Sequence, residues 1–223
     1  MHKYKNLYLI GTSHISIESI KEVKKAFKTI NPDILALELD KKRLLALISA
    51  KKTKLSLKEL KKLGLKAYLF NLLGAYAEKK LGSSVGIKPG TEMKIAYSLA
   101  KKQKAKIALI DQDIEITLKK LSSRLTWKEK FTFIKDILKA LILRKQEIKF
   151  DLRKVPSEEQ IRIMIDKVKN SYPSFYLTLV KERNIYMAKA LKTLIAHNKS
   201  RKILALIGAG HEKTLLSLIK KHV

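Results

Sequence analysis

Four short runs along the chain are almost wholly apolar: Leu7–Ile10, Ile34–Leu39, Ile107–Ile110 and Ile203–Ile207. Runs of this length and make-up predict β-strands covered on both faces. Helical periodicity fills the intervals. Ile17, Ile20, Val23, Phe27 and Ile30 form one stripe, which Asn31-Pro32 ends. Leu44, Leu47 and Ile48 begin a second helix, and Thr91–Lys102 follows a Pro89-Gly90 turn as a third. The order β-α-β at the start, with α-β and β-α later, predicts an α/β fold: a small, mostly parallel sheet flanked by helices.

Two stretches between the strands are mainly helical, about 51–81 and 114–197. In the second, Trp127, Phe131, Ile134, Leu138 and Leu141 mark one helix. Ile161, Met164, Ile165 and Val168 mark another after Pro156, and Tyr176, Val180, Met187, Leu191 and Leu194 a third after Pro173. These read as insertions that form a helical cap on a single domain spanning 1–223. No internal repeat or low-complexity linker interrupts it.

Composition narrows the function classes. Hydrophobic residues make up 46% of 223 residues, enough for a packed core, and cysteine is absent. Disulfide scaffolds, cysteine nucleophiles and thiolate zinc sites are therefore excluded. Basic residues outnumber acidic ones 49 to 20, a net charge of +29. Only seven of the 49 are arginine, leaving 42 lysines spread over the polar faces of the helices. Arginine forks and stacking aromatics, the usual equipment for specific nucleic-acid recognition, are scarce. The expectation is a lysine-rich solvated surface that contacts polyanions non-specifically at low salt. No apolar run approaches the ~20 residues of a membrane span, and Leu7–Ile10 is too short for a signal peptide. The expected location is cytoplasmic.

Candidate chemistry gathers at the strand ends, where parallel sheets bind ligands. Strand one runs into Gly11-Thr12-Ser13-His14 and strand two into Glu38-Leu39-Asp40. Strand three leads to Asp111-Gln112-Asp113, and the last strand to Gly208-Ala209-Gly210-His211. A chain poor in acids and histidines thus sets two histidines and four acids at four strand ends. Imidazole plus carboxylate without thiolate suits a divalent ion such as Mn, Co, Zn or Fe. Gly11, Gly208 and Gly210 are expected to let the backbone turn sharply and aim the imidazoles inward. Asp40 and Asp113 also suit helix N-caps, and Glu92 suits the start of a helix. Arg183 lies on an apolar stripe with Val180, Met187, Ala190 and Leu194. A charge there needs a carboxylate or an anionic ligand, and Glu38, Glu92 and Asp111 are the expected partners. Glu182 beside it points about 100° away.

The segments GTSH (11–14), ELDKKR (38–43), GIKPGTEM, LIDQDIEITLKKL (109–121), KERNIYMAKAL (181–191) and IGAGH (207–211) resemble, in this order, the TraB/PrgY pheromone-shutdown family. That family is similar to the Tiki proteins, divalent-metal-dependent proteases of the EreA/ChaN-like superfamily. The resemblance runs from about residue 6 to 215. It implies His14, His211 and Glu38 as metal ligands, and Glu38, Glu92 and Arg183 as catalytic residues. Ser13, Arg43, Asp111, Asp113, Glu182 and Tyr186 would surround substrate or ligands. The chain departs from the family at Gln112 and Asn184, where the family usually has arginine and aspartate, and after His211, where a glycine is missing. The implied activity is a metal-dependent hydrolase, a peptidase acting on peptide or protein. The alternative is a non-catalytic protein that binds or sequesters a peptide or anion.

Overall fold

The computed structural model describes residues 1–13, 16–49, 90–143 and 157–221, with the side chains of 137–143 outside that description. His14 and the 51–81 insertion therefore lie outside the described residues.

Five strands form one sheet: β1 (His2–Tyr4), β2 (Leu7–Thr12), β3 (Ile34–Leu37), β4 (Lys106–Leu109) and β5 (Ile203–Gly208). Their spatial order is β1-β2-β5-β3-β4. Four run parallel, and β1 pairs antiparallel with β2. The four apolar runs are the four parallel strands. The strand β1 went unread because His2, Lys3 and Tyr4 form a short polar edge with no buried face to pattern. β3 also stops at Leu37, so Glu38 stands just past the strand. Its amide still donates to Leu206 O at 3.1 Å.

The alternation of β5 divides the core. Ile203, Ala205 and Ile207 face one side, against Met187, Leu191, Leu215 and Ile219. Leu204 and Leu206 face the other, against Val23, Phe27, Met93 and Ala96. Helices α1 (Ile17–Ile30) and α3 (Thr91–Lys102) cover the second face. Helices α8 (Glu182–His197) and α9 (Ala209–Lys220) cover the first. Burying each such aliphatic side chain contributes about 1.5–3 kcal/mol, which makes the central strand β5 the anchor of the fold.

Between β3 and α3 lies α2 (Lys41–Ile48), and between β4 and α8 lie the helices of the second insertion. They are α4 (Ile114–Arg124), α5 (Trp127–Leu143), α6 (Glu158–Ser171) and the short α7 (Pro173–Phe175), followed by a π-helical segment, Tyr176–Lys181. These helices form, but the described part of the α5 stripe meets no core among the described residues. Trp127 is 73%, Phe131 67% and Ile134 54% exposed. Met164 and Val168 on α6 are also exposed. Helical periodicity fixes which residues share a face; it carries no information about what that face meets.

Candidate functional site

The carboxyl ends of β2, β5 and β3 stand side by side, with Thr12 opposite Gly208 and Leu37 opposite Leu206. Glu38, the first residue past β3, is buried. Its Oε2 accepts the Gly208 amide at 2.5 Å. Gly208 is the N-cap of α9, so this carboxylate sits on the positive end of a helix dipole. Its Oε1 accepts from Arg183 Nη2.

Arg183 is 15% exposed and descends from the first turn of α8. Nε reaches Asp111 Oδ1 and Oδ2 at 3.0 and 3.1 Å, and Nη2 reaches Oδ2 at 2.5 Å. Nη1 donates to Leu179 O at 3.1 Å, within the π-helical segment that leads into α8. π-Helical turns recur at functional sites because the widened turn re-aims its neighbours. The expected partnership of Arg183 with Glu38 and Asp111 is therefore present, and all three guanidinium nitrogens are engaged by protein acceptors. Burial works against ionisation of both groups. The Asp111 hydrogen bonds and the charges of Glu38 and Asp111 outweigh it and raise the Arg183 pKa. Burial likewise opposes the Asp111 carboxylate, and Arg183 and Arg43 overcome it, holding the carboxyl below its usual range.

His211 lies in the first turn of α9. Nδ1 is 2.7 Å from Asn184 Oδ1. An amide oxygen only accepts, so Nδ1 donates to Asn184 and the ring is oriented through that nitrogen. Nε2 faces Glu38 Oε1 at 3.4 Å and Arg183 Nη1 at 3.5 Å. Metal-ligating histidines are oriented in this way, through a hydrogen bond from the other ring nitrogen. Asn184 was not among the expected site residues. Its signal was present: it stands one residue after Arg183, at a position where the resembling family carries an acid.

A second arginine extends the network. Arg43 on α2 donates through Nε to Asp40 Oδ2 at 2.7 Å and through Nη2 to Asp111 Oδ2 at 2.5 Å. Asp40 caps α2, accepting from Arg43 N, and its Oδ2 also accepts from Ile114 N at 3.1 Å. Burial resists its charge and these bonds prevail, lowering its pKa. Asp113 is the N-cap of α4, accepting from Glu115 N at 2.7 Å, and faces Lys42 at 3.5 Å.

Glu92, 1% exposed, opens α3 after Gly90, whose φ of 79° is the left-handed conformation glycine tolerates. Its Oε1 meets Thr12 Oγ1 at 3.4 Å, so the carboxylate reaches the end of β2. Ser13 N donates to Ser19 Oγ at 3.2 Å, while Ser13 Oγ is buried with no hydrogen-bond partner among the described residues.

The glycines act differently from expectation. Among the described glycines only Gly90 has a positive φ, so Gly11, Gly208 and Gly210 make no left-handed turn. Gly11 is needed for close approach: a Cβ there would lie 2.2 Å from Glu212 Oε2 and 3.2 Å from Ala209 Cα. Gly208 supplies its amide to Glu38, and a Cβ on Gly210 would point into open space. Glu182 and Tyr186 are not drawn in. Glu182 pairs with Lys120 at 3.0 Å and Arg124 at 2.5 Å, and Tyr186 is exposed.

The buried residues Glu38, Asp40, Glu92 and Asp111 carry four formal negative charges, and Arg43 and Arg183 carry two positive ones. These six described residues sum to a formal charge of −2, in a chain of net +29. The sequence from end to end matches the model of the TraB/PrgY/gumN family over residues 2–221. The chain belongs to the TraB/PrgY/gumN family. It is 38% identical over 221 residues to an uncharacterised protein of Methanocaldococcus jannaschii, covering 97% of this chain and 54% of that protein. It is 25% identical over 197 residues to the TraB domain-containing proteins of Mus musculus and Homo sapiens, covering 83% of this chain and 52% of each. This TraB-family chain spans about half the length of the relatives it matches.

Proposed function

We propose that this TraB-family chain is a divalent-metal-dependent hydrolase acting on peptide bonds, the activity that a kinship of its family with the Tiki proteins would imply. One observation carries the reading: Asn184 holds the His211 ring so that Nε2 faces the Glu38 carboxylate at the carboxyl edge of the sheet. Imidazole and carboxylate oxygen form a donor pair suited to Mn, Co, Zn or Fe, and the local negative surplus favours a cation. Among the described residues no group of three His, Asp or Glu side chains is arranged to hold a metal. The family resemblance assigns the third ligand to His14.

His211 and Glu38 would hold the ion, with His14. Bound there, it would supply Lewis acidity toward a carbonyl oxygen and toward water. Arg183 is a positioning residue in this scheme: it braces Glu38 against Asp111 and helps hold the Asp111 carboxyl ionised. Glu92 is the proposed proton acceptor, its Oε1 held by Thr12.

The test is hydrolysis of a mixed peptide library with and without added Mn, read by mass spectrometry. New termini that need the metal and vanish in Glu38→Gln and His211→Ala support the proposal. Metal-independent cleavage would contradict the metal requirement, and no cleavage under any metal argues for the non-catalytic peptide-binding alternative.

A further inference from the structure

At the opposite end of the sheet from the strand-end acids lies a cleft of about 840 Å³. Six-residue strands separate the two ends by about 20 Å. The volume falls in the ~300–1,000 Å³ range of ligand sites. Its walls come from three places. The edge strand β1 and its turn contribute Lys3 and Lys5. The turn between α8 and β5 contributes Lys199, Arg201 and Lys202. Lys192 and Lys221 stand on α8 and just past α9. No described acidic residue lines it. Two tyrosines join the cations, with Lys3 Nζ 5.4 Å from the Tyr8 ring centre and Lys5 Nζ 5.4 Å from that of Tyr4. Each ring is half-buried with a lysine ammonium over one face, which a stacked base would displace toward its own phosphate.

We propose that this cleft binds single-stranded nucleic acid, phosphates on the lysines and an unstacked base against Tyr4 or Tyr8. Seven cations exceed the charge of one mononucleotide and suit a run of phosphates. A concave trough is the wrong shape for a flat lipid surface, and a duplex keeps its bases away from the rings. Flexible lysines beside aromatic rings are the equipment of sequence-tolerant single-strand binding. The sequence spreads +29 over the whole surface; the fold concentrates seven of those cations around one aromatic-lined cleft.

Fluorescence anisotropy with a labelled mixed-sequence RNA of about twelve nucleotides tests the site against general charge. One variant combines Lys199→Glu, Arg201→Glu and Lys202→Glu. The control, Lys24→Glu, Lys25→Glu and Lys28→Glu, makes the same charge change on the exposed face of α1. At low salt the cleft variant should bind at least about tenfold more weakly than the control, and its log–log salt slope should be shallower by about 2. Tyr8→Leu should weaken binding about tenfold while leaving the salt slope intact. Circular dichroism checks that each variant folds, and single neutralisations such as Arg201→Gln replace the triple if it does not. Equal losses in cleft variant and control overturn the proposal. So does binding to phosphatidylserine vesicles that RNA fails to displace.

Discussion

Arg183 and Asp111 stand 72 residues apart in sequence and meet in a two-armed ion pair, Nε on both carboxylate oxygens and Nη2 on Oδ2 at 2.5 Å. The pair joins the start of α8 to the loop that follows β4. The same guanidinium holds Glu38 and Leu179 O, so two strand ends and the π-helical segment share one cation.

Removing that cation should be costly. Arg183→Met roughly keeps the packing volume but leaves two buried carboxylates without their main partner. A loss of about 3 kcal/mol in unfolding free energy is expected, by the penalty for breaking a buried pair. Arg183→Lys should fall between, because a single ammonium cannot bridge both acids with a fork. Urea titration reads both. A loss under about 0.5 kcal/mol for the methionine variant would match an ordinary surface position instead.

The Asp111 carboxyl gives the acid limb of the stability curve. Its pKa in the fold lies below its value in the unfolded chain, about 3.9. The unfolded state therefore takes up its proton first as pH falls. The stabilisation is fully present above about pH 4 and is lost as pH drops through the folded-state pKa. Asp111→Asn should flatten the pH dependence of stability below about pH 4 relative to the parent. Parallel curves for the two proteins would assign that limb to other groups.

Much of this fold was legible in the sequence, for identifiable reasons. Strands buried on both faces leave continuous apolar runs, so β2 to β5 stood out, whereas the polar edge β1 had no such mark. Arg183 could be read as buried and paired because a charge on an apolar stripe has few stable alternatives. Asn184 could not, since an asparagine on a helix has many ordinary uses and its link to His211 is purely tertiary. The outward stripe of α5 was illegible for the same reason: period specifies a face and says nothing of its neighbours.

That stripe is open to a direct optical test, because Trp127 is the only tryptophan in the chain. Its emission should be that of a hydrated indole and should be quenched readily by acrylamide. Trp127→Ala should change stability by no more than about 0.5 kcal/mol. A blue-shifted, poorly quenched emission would mean the α5 face is covered in solution.

Asn184 is predicted to tune His211. Asn184→Leu removes the acceptor at Nδ1 and should weaken Mn binding by about 10–100-fold with the fold retained. Asn184→Asp, which restores the acid usual in the family, should strengthen it by making the imidazole a better donor. Identical affinities in all three proteins would show that the ring is not a ligand.

The most direct measurement is calorimetric titration of the chain with Mn, Co and Zn, repeated on His211→Ala, Glu38→Gln and His14→Ala. The account predicts stoichiometric binding of at least one ion by the parent and its loss in each variant. Absence of binding by the parent, or binding that all three variants retain, would contradict it.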